Sequence, residues 1–251
     1  MKCGHLFNGI DGFALAAAWM NWENIFHCEI DPFCNRVMKH HFPNSYQHED
    51  IRTTDFSIWR GRIDLLTGGD PCQASSYAGK RKGKEDERYL WPEMFRAIKE
   101  IQPRWVLNEN VPGSISNGIL DQKIDDLESI GYSWWPPFII PASATGALHR
   151  RDRIWLVAHS ERGFQQPEKS CNGQARRMGR QFEPMAWDTD WENKLTHFRG
   201  MDDGLPNRLD RTDAIRNAIV PAVAYEIFKA MEEFDTRPDG PMGGETDCEL
   251  L

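Results

Sequence analysis

Three residues carry groups that could act together on a substrate: Cys72, Glu109 and Arg151. Cys72 closes the stretch Leu65-Leu66-Thr67-Gly68-Gly69-Asp70-Pro71-Cys72, and Gln73 follows it. An apolar run ended by two glycines and a proline reads as a short buried strand entering a tight loop. Glycine permits a sharp turn or a close ligand, and Pro71 fixes one backbone angle beside the thiol. Glu109 stands in Asn108-Glu109-Asn110-Val111-Pro112, which closes a second apolar run at residues 104–107. Arg151 and Arg153 belong to His149-Arg150-Arg151-Asp152-Arg153, just ahead of a third run at residues 154–158. A thiol, a carboxylic acid and a guanidinium at neighbouring strand ends, from Cys72, Glu109 and Arg151, are consistent with several covalent mechanisms. Bland readings stand beside this one. Free cysteine often packs as a small hydrophobe, and Arg151 and Arg153 could form a strand-edge salt bridge with Asp152 or Glu161.

A second constellation lies nearer the N-terminus. Residues 4–7 read as a strand, Asn8-Gly9-Ile10-Asp11-Gly12 as a turn, and residues 13–20 as an alanine-rich helix. Strand, glycine turn and helix together aim backbone N–H groups and a helix N-terminus at a ligand. Residues 25–30 form the second strand and end in Glu29-Ile30-Asp31. An acidic residue about twenty positions beyond such a turn suits the two hydroxyls of a ribose. Asp31 precedes Pro32 and a helix over residues 32–41, so Asp31 is assigned to the cap and Glu29 to the ribose. Asp50 and Ile51 follow a short third strand, and residues 63–67 make the fourth.

All these groups need a sheet whose strands end along one edge. Alternating strands and helices with short loops predict an α/β fold, a Rossmann-like doubly wound sheet. Residues 75–88 are polar and basic without an apolar period and read as a mobile loop. Helices are expected over residues 91–101 and 119–130, and further strands over 132–141 and 154–158. Residues 160–205 are rich in Gly, Gln, Arg and Trp with no clear periodicity, which reads as a small irregular insertion. An amphipathic helix over residues 218–234 restores order, and the acidic tail, residues 235–251, reads as disordered. The domain plan is therefore a catalytic domain over 1–159, an insertion over 160–205, and a segment over 206–234 that completes the first domain.

Composition narrows the class. The 251 residues are 40 % hydrophobic, enough for one large domain. No apolar run could span a membrane, and Met1-Lys2-Cys3-Gly4-His5 lacks the features of a secretory signal, so a soluble cytoplasmic protein is expected. The six cysteines contain no CxxC pair, so no zinc site is expected, and a reducing compartment argues against disulfides although the count is even. A net charge of −8 argues against a uniformly basic nucleic-acid binder. Three local basic clusters run the other way: Lys80-Arg81-Lys82, Arg150-Arg151 with Arg153, and Arg176-Arg177 with Arg180.

The order of the motifs carries a resemblance. Phe7-Asn8-Gly9-Ile10-Asp11-Gly12-Phe13, Gly69-Asp70-Pro71-Cys72-Gln73, Glu109-Asn110-Val111, Arg151-Asp152-Arg153 and Asn217-Ala218-Ile219-Val220-Pro221 follow one another. Together they resemble the cytosine carbon-5 DNA methyltransferase family, in a small bacterial or phage-type form. The loop Ser76-Tyr77-Ala78-Gly79-Lys80-Arg81-Lys82-Gly83, with Asp86-Glu87-Arg88, is similar to that family's catalytic loop. The resemblance spans residues 4–159 and 205–231. Four positions depart from it: Asp11 and Arg216 replace glycines, Asp70 an aromatic or proline, and His149 a glutamine.

The resemblance implies S-adenosylmethionine as methyl donor, S-adenosylhomocysteine as product, and no metal. It places Phe7 on the adenine, Gly9, Ile10 and Gly12 at the methionine end, Glu29 at the ribose, Asp50 and Ile51 at the adenine, and Ile30 among the donor-binding residues. Gly69 and Pro71 would lie beside the donor, and Leu90, Asn217 and Ala218 would close its pocket. Cys72 would add to carbon 6 of cytosine, Glu109 would donate at N3, Arg151 would hold O2, and Arg153 would buttress the pocket or Glu109. A target inside double-stranded DNA must be flipped out. Gln73, Ser76, Lys80, Arg81, Lys82 and Arg88 would then contact DNA from the loop, and Arg176, Arg177 and Arg180 from a short target-recognition region. A monomer is expected, and a cognate restriction endonuclease is a compatible partner. The same chemistry on RNA and a non-catalytic DNA-binding relative are the rival readings.

Overall fold

A computed structural model describes residues 1–71, 89–147, 150–160 and 218–236. Five strands run parallel: β1 (Lys2–Leu6), β2 (Glu23–Cys28), β3 (Tyr46–His48), β4 (Leu65–Gly68) and β5 (Trp105–Asn110). Their spatial order is β3-β2-β1-β4-β5. The chain leaves β1 toward one edge, then returns to β4 and continues toward the other. This makes a topological switch point between β1 and β4, the place where doubly wound sheets hold ligands. The long strand β8 (Asp152–His159) joins β5 antiparallel, and β6 (Ser133–Trp134) and β7 (Phe138–Pro141) pair with opposite halves of its far side.

The helices are α1 (Gly12–Trp19), α2 (Pro32–His41), α3 (Trp91–Ile101), α4 (Gly113–Ser116), α5 (Ile119–Ser129) and α6 (Pro221–Thr236). Side chains alternate across a strand, so each strand feeds two cores. Leu66, Val106 and Leu156 face one way and pack with Trp91, Met94 and Ile98 of α3 and Leu127 of α5. Leu65, Leu107 and Val157 face the other way and pack with Phe13 and Ala17 of α1 and Val223 and Phe228 of α6. Both β4 and β5 are buried throughout, as strands covered on both faces must be. Among the described residues, no helix is long and apolar enough to cross a membrane.

Local signals placed some elements to the residue. Asp31 accepts from the backbone N–H groups of Phe33 at 2.7 Å and Cys34 at 3.1 Å, with Pro32 opening α2 as expected. Two expectations change. The fifth strand does not stop at residue 107 but continues to Asn110, because β8 pairs with it up to Asn110 opposite Ile154. Glu109 is therefore held within a strand. The single strand expected over residues 132–141 is two, split at Pro136-Pro137, which lack the N–H groups a ladder needs.

Candidate active site

The turn after β1 is built on unusual backbone. Phe7 and Asp11 adopt φ of 51° and 58°, and Gly9 lies between them at 53°. Two non-glycine residues in the left-handed region cost about 1–2 kcal/mol each, so the surroundings must hold them. Phe7 donates its N–H to the Cys28 carbonyl at 2.9 Å, and Asp11 donates to the Asn8 carbonyl at 2.7 Å. Asp11 also caps α1, its Oδ1 accepting from Ala14 N–H at 2.7 Å. Glu29 ties this turn to α2: Oε2 accepts from Gly9 N–H at 2.8 Å and Oε1 from Asp31 N–H at 2.9 Å. Beside it Ile30 is exposed, an apolar side chain at the open sheet edge.

The next strand end is held by Arg96 of α3. It donates to the Ile51 carbonyl at 2.5 Å and the Thr54 carbonyl at 3.0 Å while pairing with Glu93 and Glu100. The Asp50 carboxylate is clasped by Arg52, from Nε at 3.0 Å and Nη2 at 2.8 Å, and the Ile51 side chain is buried in the core. Leu90 sits at the N-terminus of α3, where its carbonyl accepts from Met94 N–H at 3.1 Å.

These residues fit S-adenosylmethionine. A Cβ at Gly9 would meet nothing within 4 Å, so the turn is open to a close ligand. Asn8 Oδ1 and Asp11 Oδ2 are buried acceptors without a hydrogen-bond partner among the described residues. Burial pushes the Asp11 carboxyl up, and His5 pulls it back. Unpaired acceptors beside an open turn suit a ligand that brings an ammonium group.

The second half of the site forms where β4 and β5 end. Glu109 Oε1 meets Arg153 Nε at 2.8 Å. Burial pushes the Glu109 carboxyl up; Arg153 and Arg151 draw it down, and Asp70 raises it again. Gly69 lies against this acid, since a Cβ there would stand 3.3 Å from Glu109 Oε2 and 3.4 Å from Ile219 Cδ1. Arg151, at a φ of 38°, donates to the Ala218 carbonyl at 2.7 Å and so joins the start of β8 to the segment entering α6. Arg153 thus pairs with Glu109 and Asp152 with the exposed Arg150 at 3.0 Å, while Glu161, the other partner weighed for Arg151 and Arg153, lies outside the described residues.

Phe7, Gly9, Ile10, Gly12, Glu29, Ile30, Asp50 and Ile51 thus fall at the ends of β1 to β3. Gly69, Pro71, Glu109, Arg151, Arg153 and Ala218 gather at the ends of β4, β5 and β8. Cys72, Gln73, Ser76, Lys80, Arg81, Lys82, Arg88, His149, Arg176, Arg177, Arg180, Arg216 and Asn217 lie outside the described residues, as do the recognition region and the tail. Cys3, Cys28 and Cys34 are buried. Burial pushes the Cys3 thiol up, and Cys28 up to about 12, so neither supplies a thiolate.

Sequence reasoning left Asp70 unplaced and passed over Lys123 and Asn108. The three form a buried cluster, with Lys123 Nζ 2.5 Å from Asp70 Oδ1 and Asn108 Nδ2 2.7 Å from the same oxygen. A signal was present: Lys123 occupies the apolar stripe of α5, between Leu120 and Leu127. A charge on a buried face needs a buried partner.

A profile described as "C-5 cytosine-specific DNA methylase" matches residues 1–195. The type II methyltransferase M.PspPI of Psychrobacter sp. (strain TA137) is 37 % identical over 157 residues, 61 % of this chain and 38 % of that protein. The type II methyltransferase M.Eco47II of Escherichia coli is 34 % identical over 158 residues, again 61 % of this chain and 38 % of that protein. The chain thus spans about two-fifths of the length of these curated relatives. The crystal structure of S. pombe Dnmt2 methyltransferase is similar at a TM-score of 0.63 and 16 % identity, covering 93 % of this chain and 99 % of that one. At that identity the likeness concerns the fold.

Proposed function

The chain belongs to the C-5 cytosine-specific DNA methylase family, and from that we propose that it transfers a methyl group from S-adenosylmethionine to carbon 5 of a cytosine in duplex DNA. The observation that carries this reading is the buried Glu109 carboxyl, raised by burial and held by Arg153 beside the segment that leads to Cys72. Carbon 5 of cytosine is a poor nucleophile while the ring is aromatic. The Cys72 thiolate adds to carbon 6, the new C–S bond drawing an electron pair into the ring. Glu109 gives a proton or hydrogen bond at N3, where that charge collects, and a desolvated carboxyl keeps the proton it must give. Arg151 holds the ring oxygen, and Arg153 orients Glu109.

Bound S-adenosylmethionine supplies an electrophilic methyl group. Phe7, Gly9, Ile10, Gly12, Glu29, Ile30, Asp50, Ile51, Gly69, Pro71, Leu90, Asn217 and Ala218 hold it, with Glu29 at the ribose and Asn8 and Asp11 offering acceptors near the turn. Carbon 5 takes the methyl group, a base removes its proton, and loss of Cys72 restores the aromatic ring. The base is flipped out for this to happen. Gln73, Ser76, Lys80, Arg81, Lys82 and Arg88 contact the DNA around it, and Arg176, Arg177 and Arg180 read its groove from residues 160–205. In this reading residues 1–159 and 206–234 make up one catalytic domain, which the core shared by α1 and α6 supports. The protein works as a cytoplasmic monomer, with a restriction endonuclease as a compatible partner.

Methyl-labelled S-adenosylmethionine with duplex DNA, and separately with RNA, tests the reading. Label recovered as 5-methylcytosine in DNA supports it. Label in RNA alone replaces DNA as the substrate, and tight DNA binding without transfer to either favours a non-catalytic relative.

A further inference from the structure

Asp70 stands one residue before Pro71, and its charge has no part in the chemistry described so far. Its carboxylate and the ammonium of Lys123 are both shut away from solvent and meet at 2.5 Å. Asn108 and Asn110 donate to the same Asp70 oxygen at 2.7 and 3.3 Å. Asn110 also reaches the Asp70 carbonyl at 3.3 Å, and Asn108 the Gly68 carbonyl at 3.0 Å. Lys123 closes the ring by donating to Asn108 Oδ1 at 2.8 Å, and it lies over the Trp91 ring at 5.0 Å. Asn108 and Asn110 flank Glu109 on β5.

A buried ion pair gains little stability over apolar residues of similar volume, because desolvation offsets its attraction. What it supplies instead is one allowed geometry, here at the junction between the turn before Cys72 and the strand bearing Glu109. We infer that Asp70 and Lys123 are positioning residues for methyl transfer: their pair, tied to Asn108 and Asn110, holds residues 69–71 at a set distance from the Glu109 carboxyl. The inference rests on the activity proposed above. A Cβ added at Gly69 would stand 3.3 Å from Glu109 Oε2, so the turn and the acid are neighbours and the placing of one bears on the other. The charged groups acting on Glu109 are Arg153, Arg151 and Asp70, with Lys123 behind Asp70.

The test compares Lys123→Met, Asp70→Leu and the two together in the full chain. Each single change leaves one buried charge unpaired and lowers the thermal midpoint. The double change recovers the midpoint, while kcat stays at least about tenfold below wild type and KM for S-adenosylmethionine stays within about twofold. A polar uncharged pair, Asp70→Asn with Lys123→Gln, keeps the hydrogen bonds and exceeds the apolar pair in kcat. Recovery of kcat along with the midpoint in the apolar pair, or equal kcat in the two pairs, overturns the inference. A wild-type protein that transfers no methyl group refutes the proposed activity instead. The positioning claim is then read from the rate at which iodoacetamide alkylates Cys72. A rate changed in the folded apolar pair supports it, and an unchanged rate overturns it.

Discussion

At the scale of single residues, Glu109 is the group whose environment says most. Its carboxyl is buried, raised by that burial, and steadied by Arg153 at 2.8 Å. Glu109→Gln should lower turnover by about 10²–10⁴-fold, the usual worth of a positioned acid, while S-adenosylmethionine binding measured by calorimetry stays near wild type. The same shift has a stability signature. A carboxyl whose folded pKa lies above its unfolded value contributes stability below the unfolded pKa, about 4.3, and loses it as pH rises through the folded one. Urea midpoints of wild type should therefore fall relative to Glu109→Gln as pH rises from about 4 to 8. A gap that widens in favour of wild type would contradict the assignment. Asp11 is the second informative residue, holding a left-handed backbone while capping α1. Asp11→Gly gives up a cap worth only a few tenths of a kcal/mol against glycine and relieves about 1–2 kcal/mol of backbone strain. It should be neutral to stabilising in thermal melts, whereas Asp11→Ala should destabilise.

At the scale of elements, legibility followed how local each signal was. The helix over residues 32–41 was readable because Asp31 and Pro32 mark its start within two positions. Asp31→Ala should cost about 1 kcal/mol in urea unfolding. The glycine turn and Glu29 were legible for the same reason, and the hydrogen bond from Gly9 to Glu29 joins them. The end of β5 was not legible, because only pairing with β8 extends it past residue 107. The Asp70–Lys123 pair was missed because its partners lie 53 residues apart and meet only once β4, β5 and α5 have packed. Gly12 shows the same dependence. A Cβ there would collide with the Ile219 carbonyl, a contact between residues 207 positions apart that its sequence context could not show. Gly12→Ala should part α1 from the approach to α6 and cost about 1–3 kcal/mol, typical of overpacking, as read by thermal melts.

At the scale of the molecule, the fold brings two remote stretches of chain to one sheet edge. The helix α6 seats Phe228 against Trp22 at 5.0 Å between ring centres and shares the core of α1. A chain ending at residue 217 should lose that core, with dye-accessible apolar surface and weak near-ultraviolet circular dichroism as its signs. Acid should also weaken the whole. Burial pushes His27 down to about 4, so the stability it contributes is present above its unfolded pKa and lost as pH falls through the folded one. His27→Gln should flatten the fall in urea midpoint between about pH 6.5 and 4. The central claim is that Cys72 attacks a cytosine which Glu109 and Arg151 hold at this edge. A duplex in which fluorine replaces the proton on carbon 5 tests it most directly, because fluorine cannot leave as a proton does and the attached cysteine stays bound. With S-adenosylmethionine present, mass spectrometry should find the methylated fluorocytosine joined to the peptide bearing Cys72, and no adduct with Cys72→Ala. An adduct at another cysteine, or methyl transfer to ordinary DNA that survives in Cys72→Ala, would contradict the account.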